Sequence, residues 1–91
     1  MLVATIKFDR DCVGWTDKDY INQHYLNLQT QYISELTKAR GYLYLNSIYE
    51  CLGAKWNPEW KNICLLAEFG ELTYEIERDE ETESYLIKIY Q

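Results

Sequence analysis

The chain has 91 residues, 47% of them hydrophobic, and a formal net charge of −6 at pH 7. That length allows one domain, residues 1–91, around one core, with a net stability of about 5–13 kcal/mol, and the apolar content argues against disorder. The acidity argues against direct nucleic-acid binding and against an anionic membrane, since both repel a chain of this sign.

The charge is unevenly placed. Residues 1–45 hold five bases and five acids, net 0, whereas residues 46–91 hold four bases and ten acids, net −6. Cys12, Cys51 and Cys64 are odd in number and form no C-x-x-C, which suits a reducing cytosol better than a secreted, disulfide-bonded domain. Residues 1–7 lack the basic leader and apolar run of a signal peptide. The longest unbroken apolar run, residues 63–67, is too short to span a bilayer. The expectation is a cytoplasmic protein with no membrane association.

In chain order, Leu2, Ala4, Ile6 and Phe8 alternate with Val3, Thr5 and Lys7, which predicts a first strand over residues 2–8. Thr16 and Asp19 have capping-box spacing. From Asp17 the period becomes helical. Ile21, Tyr25, Leu28, Tyr32, Leu36 and Ala39 trace one stripe, expected to be buried. Asp17 and Asp19 at the start, and Lys38 and Arg40 at the end, agree with the helix dipole, and Gly41 supplies the stop.

Residues 41–53 predict a short extended stretch and then a two-turn helix, with Asn46 as N-cap and Gly53 just past the end. Asn57 and Pro58 can open a single helical turn. Three strands complete the chain, over residues 62–68, 72–79 and 83–90. Gly70 is expected to turn the first connection, and a longer loop around a type I turn the second, which lacks Gly. The order β-α-α-β-β-β predicts an α+β fold, with one long and one short helix on an antiparallel sheet of three to four strands.

The segment Arg40-Gly-Tyr-Leu-Tyr-Leu-Asn-Ser-Ile-Tyr-Glu-Cys-Leu-Gly53 resembles a pattern in small uncharacterised proteins of Gram-positive bacteria and their prophages. There a polar helix leads into Gly, an aromatic-aliphatic pair, Leu-Asn, then Tyr and Leu-Gly. The resemblance implies a bacterial or phage origin and carries no activity, cofactor or site residue.

The strongest candidate for function is acidic. Glu68, Glu71, Glu75, Glu77, Asp79, Glu80, Glu81 and Glu83 crowd one segment with a single base, Arg78. With Leu72, Tyr74 and Ile76 turned to the core, Thr73, Glu75, Glu77 and Asp79 project outward, roughly 6.8 Å apart along the strand. Such a row can imitate a phosphate row and occupy a basic channel of another protein. The commoner origin of the pattern is a solvated antiparallel strand whose edge charges prevent aggregation.

Trp15, Trp56 and Trp60 fall in connections, as anchors for a partner or as plugs at the ends of a small core. Tyr20, His24 and Tyr32 border the helical stripe and could extend a contact surface. His24 is the only histidine, and a pairing with Cys12 lacks an orienting third group. Asp9 and Asp11 form a D-x-D without the remaining pattern of a Ca²⁺ loop, so turn chemistry accounts for them. No catalytic constellation, metal site or phosphate loop is expected, and no cofactor.

The reading that results is a non-enzymatic interaction module binding a basic protein through Glu75, Glu77, Asp79, Glu81, Trp56 and Trp60, with inhibition of that partner as one consequence. The alternative is a structural homo-oligomer or assembly subunit with no small-molecule ligand, joined through strand edges at residues 2–8 or 83–90.

Overall fold

Period-two alternation builds the sheet. In the computed structural model, which describes residues 1–54 and 58–91, strand β1 (Leu2–Phe8) buries Ala4, Ile6 and Phe8 and exposes Thr5 and Lys7. Helix α1 (Asp19–Arg40), strand β2 (Tyr42–Tyr44) and helix α2 (Leu45–Cys51) follow. Strand β3 (Cys64–Leu66) precedes the final pair, β4 (Thr73–Asp79) and β5 (Ser84–Tyr90). The fold is α+β, with two helices packed on an antiparallel three-stranded sheet and a small two-stranded sheet beside it.

The main sheet has the order β1-β5-β4. Ile6 pairs with Ile87, and Ile87 with Ile76, so one apolar row crosses the inner face. Tyr85, Ile87 and Ile89 are fully buried because β5 is the central strand. That position corrects the expectation that residues 83–90 offer a free edge: the edges are β1 and β4.

α1 covers the inner face with a different stripe from the one its hydrophobicity predicts. The buried residues are Asn22, Leu26, Thr30, Ile33 and Thr37, while Ile21, Leu28 and Tyr32 are exposed. The polar members of the buried stripe are satisfied locally. Thr30 Oγ1 donates to the Asn27 carbonyl and Thr37 Oγ1 to that of Ile33, at 3.1 and 2.8 Å. The Asn22 amide donates to the Thr16 carbonyl and accepts from the Thr16 N–H, at 2.9 and 2.8 Å. Burial therefore leaves none of these groups unbonded.

The helix ends divide. At the start no side chain caps the helix, and the expected Thr16–Asp19 box is replaced by the Asn22 clasp on the preceding loop. At the end Gly41 adopts φ 82°, and its N–H bonds the Thr37 carbonyl at 2.8 Å, as a C′ glycine does. In α2 Asn46 lies inside the helix, buried, so it is not the N-cap; Gly53, at φ 73°, follows the helix as expected. A 3-10 turn at Pro58–Trp60 matches the predicted single turn, and its predicted cap, Asn57, lies outside the described residues.

The strand expected over residues 62–68 is shorter and pairs elsewhere. Cys64–Leu66 joins β2, with Leu43 opposite Leu65, and the Leu45 N–H to Ile63 carbonyl bond adjoins that ladder. Ala67–Phe69 then forms a 3-10 turn, and Gly70, at φ 117° and ψ 171°, redirects the chain into β4. The connection around Gly70 thus joins two sheets instead of closing a hairpin. The β4–β5 hairpin does close as expected, around residues 80–83, with Glu83 at φ 51°.

At one end of the core Phe8 meets Trp15, Tyr25 and Tyr85, with ring centroids 5.5, 5.5 and 6.3 Å away. The Tyr25 hydroxyl donates to the Cys51 carbonyl at 3.1 Å and ties α1 to α2. Among the described residues no helix is long and apolar enough to cross a membrane.

Candidate acidic face and the groove behind it

Sheet alternation and register fix the outer face. Glu75 lies opposite Lys88 and Glu77 opposite Leu86, all facing away from α1, while Tyr74 and Ile76 face inward. Lys88 Nζ reaches Glu77 Oε1 at 3.1 Å, and the Tyr90 hydroxyl donates to Glu75 Oε2 at 3.1 Å. The bond from Lys88 holds the Glu77 carboxyl below its usual value, and the same contact raises Lys88.

The acidic array is thereby partly neutralised within the chain. Glu71 pairs with Lys38, Glu77 with Lys88, and Glu83 with Arg10. Arg78, the one base within residues 68–83, bridges to Asp19 at 3.3 Å and lies over the Tyr85 ring. The remaining negative charge lies at Glu68, at Glu75 and at the hairpin tip. There Asp79 Oδ1 accepts the Glu81 N–H at 3.1 Å, and Glu80 and Glu81 are exposed. A surface cavity of about 340 Å³ lies between Glu77, Asp79, Glu81 and Leu86.

On the inner side, α1 stands off from the edge strand β4 and is tied to this part of the chain at three heights. Asp19 meets Arg78, Ser34 meets Tyr74, and Lys38 meets Glu71. Between these ties lie two cavities. One, of about 220 Å³, is lined by Gln23, Asn27, Ile76, Arg78 and Tyr85. The other, of about 200 Å³, is lined by residues that include Ser34, Thr37, Ala67 and Leu72. Sequence reading missed this groove, because it depends on where α1 settles on the sheet.

The aromatic candidates separate from the acids. Trp60 is half-buried and stacks on Tyr49 of α2 at 4.8 Å, packed against the core and off the outer sheet face. Trp56 lies outside the described residues. Trp15 belongs to the Phe8 cluster. Tyr20, His24 and Tyr32 are exposed on α1, in company with Leu28.

The remaining candidates hold structural positions. Asp9 Oδ1 accepts the Asp11 N–H at 3.0 Å, a turn contact. Cys12 is buried, and burial pushes its thiol above the usual value, away from the thiolate a nucleophile needs. Among the described residues no group of three or more His, Cys, Asp or Glu side chains is placed to hold a metal ion. Set against protein-family models, curated proteins and solved structures, the chain matches none.

Proposed function

We propose that this chain is a non-enzymatic interaction module that binds a basic protein through the acidic face of its β4–β5 hairpin. The supporting observation is the ordered placement of Glu75, Glu77 and Asp79 along an edge strand, next to the exposed Glu80 and Glu81 at the tip. Because the ladder fixes their spacing, these acids present a preorganised field that steers a basic partner and sets register. Masking or inhibiting the partner's basic surface is the consequence such a contact would have. A cytoplasmic site of action and a bacterial or phage origin belong to the same proposal.

The test is affinity capture from the native host with two baits, the natural chain and the double variant Glu75→Gln/Glu77→Gln, which sets no like charge against Lys88. Both side chains are exposed, so the variant should keep the fold. Partners retained by the natural chain at low salt and lost from the variant support the proposal. Equal retention by both baits removes the acidic face from it.

A second reading, a homo-oligomer, is favoured by one observation. The outer face of α1 exposes Tyr20, Ile21, Leu28 and Tyr32, at 69%, 38%, 50% and 51%. Ile21, Leu28 and Tyr32 recur at a seven-four spacing, which keeps them on one side of the helix, as in a helix-pairing seam. Sedimentation of pure protein distinguishes the two: a stable symmetric oligomer without partner supports assembly, and a monomer leaves binding to a basic protein.

A further inference from the structure

β4 has a bonding partner on one side only. It pairs with β5 along its whole length, and among the described residues no strand occupies its other edge. No turn, loop or cap backbone hydrogen bond among those residues uses Thr73–Asp79 either. Seven residues of open edge offer backbone donors and acceptors to another extended chain. Natural edges are commonly guarded by lysine; this one carries Glu75 and Glu77, which repel some strands and attract others.

From this edge we infer that the module captures its partner by strand addition, taking an extended peptide with basic residues at alternate positions as a fourth strand beside β4. The inference rests on the proposed acidic-face reading and deepens it. Residues directly opposite one another in a sheet share a face, so peptide residues facing Glu75 and Glu77 would project to the outer side, where lysine or arginine meets carboxylate. The alternate residues would turn inward, to the mouth of the groove between β4 and α1. The cavity of about 220 Å³ beside Ile76 is also lined by Gln23, Asn27 and Arg78, and the one of about 200 Å³ beside Leu72 also by Lys38 and Glu71, so each would take a side chain of modest size. Between them the Ser34–Tyr74 bond closes the groove, so the residue opposite Tyr74 should be small.

A second copy of the chain fits this edge poorly. In an antiparallel β4–β4 pair centred on Ile76, Glu75 of one copy would oppose Glu77 of the other, and like charges directly opposite destabilise a pair. Backbone bonds would supply affinity and the alternating side chains selectivity, the usual division in strand addition.

The test uses the full chain and a short capped peptide with lysines opposite Glu77 and Glu75, valine between them, and alanine opposite Tyr74. Two further versions are N-methylated, one at the alternate amides that face β4 and one at the amides that face away. Strand addition predicts that the first version binds at least about tenfold more weakly and the second as the parent does. It also predicts slowed hydrogen exchange along β4 on binding. If both methylated versions bind equally, strand addition is overturned; the acidic-face reading then stands only if Glu75→Gln/Glu77→Gln still abolishes binding. If no peptide binds at low salt, both fall. If the β4 edge becomes protected at high protein concentration without peptide, the occupant is a second copy and the inference is overturned.

Discussion

The Tyr74 hydroxyl shares a hydrogen bond with Ser34 Oγ at 2.8 Å and joins the edge strand β4 to the middle of α1. It is the central one of three ties between the helix and this region, and the only one between uncharged groups; the outer two are Arg78–Asp19 and Lys38–Glu71. Burial raises the Tyr74 phenol above its usual value, against the opposing effect of the Ser34 bond.

Removing this tie should loosen β4 without unfolding the chain. Tyr74→Phe is expected to cost about 0.5–1.5 kcal/mol, the net worth of an ordinary hydrogen bond, and Ser34→Ala a similar amount. The double variant should cost less than the sum, because the two changes remove the same bond. Urea unfolding of the three variants measures the coupling, and strict additivity would contradict the bond.

The correction to the α1 stripe has a direct consequence for stability. Leu26 is fully buried and Leu28 is 50% exposed, although the two are chemically identical and two residues apart. Leu26→Ala should cost about 2–5 kcal/mol, whereas Leu28→Ala should stay within about 0.5 kcal/mol. Thermal unfolding of both variants checks the assignment, and the reverse order would restore the stripe that hydrophobicity alone suggests.

The Glu77–Lys88 pair predicts a defined pH window. Glu77 is held below its ordinary value of 4.5, so its contribution is present above that value and is lost as pH falls through the depressed one. Lys88 is held above its ordinary 10.5, so its contribution is present below 10.5 and is lost as pH rises through the raised value. Glu77 is exposed and Lys88 half-buried with its amine at the surface, so the effect is small and screened by salt. The stability difference between the natural chain and Lys88→Met should be flat near neutral pH and close at both extremes. A difference independent of pH would assign the effect of Lys88 to packing of its stem.

The strands of the main sheet were legible because β1 and β4 each have one wet face, so alternation reports burial directly; their order, with β5 central, was not. Leu2 is an exception, exposed despite its inward phase, because it lies at the end of an edge strand beside a register irregularity. The bounds of α1 were legible from charge and from Gly41, but its orientation was not. Its buried face carries Asn22, Thr30 and Thr37, whose polar groups are bonded to nearby backbone, while Ile21, Leu28 and Tyr32 remain outside. Hydrophobicity therefore pointed about a third of a turn away from the true face. The pairing of β2 with β3 was beyond sequence patterning, since three-residue strands carry too little alternation to set a register. The outward row of acids was legible; its partial neutralisation was not, because Arg10 and Lys38 come from distant parts of the chain and the Lys88 contact depends on the β4–β5 register.

The most direct measurement of the central claim is a two-dimensional NMR titration of the labelled natural chain with an oligolysine peptide at low salt. Recognition by the acidic hairpin predicts amide shifts concentrated at Glu75, Glu77 and residues 79–81, saturating together and vanishing at high salt. Shifts spread evenly over the other exposed acids, such as Glu50 and Glu68, would contradict it, as would no shift at the hairpin.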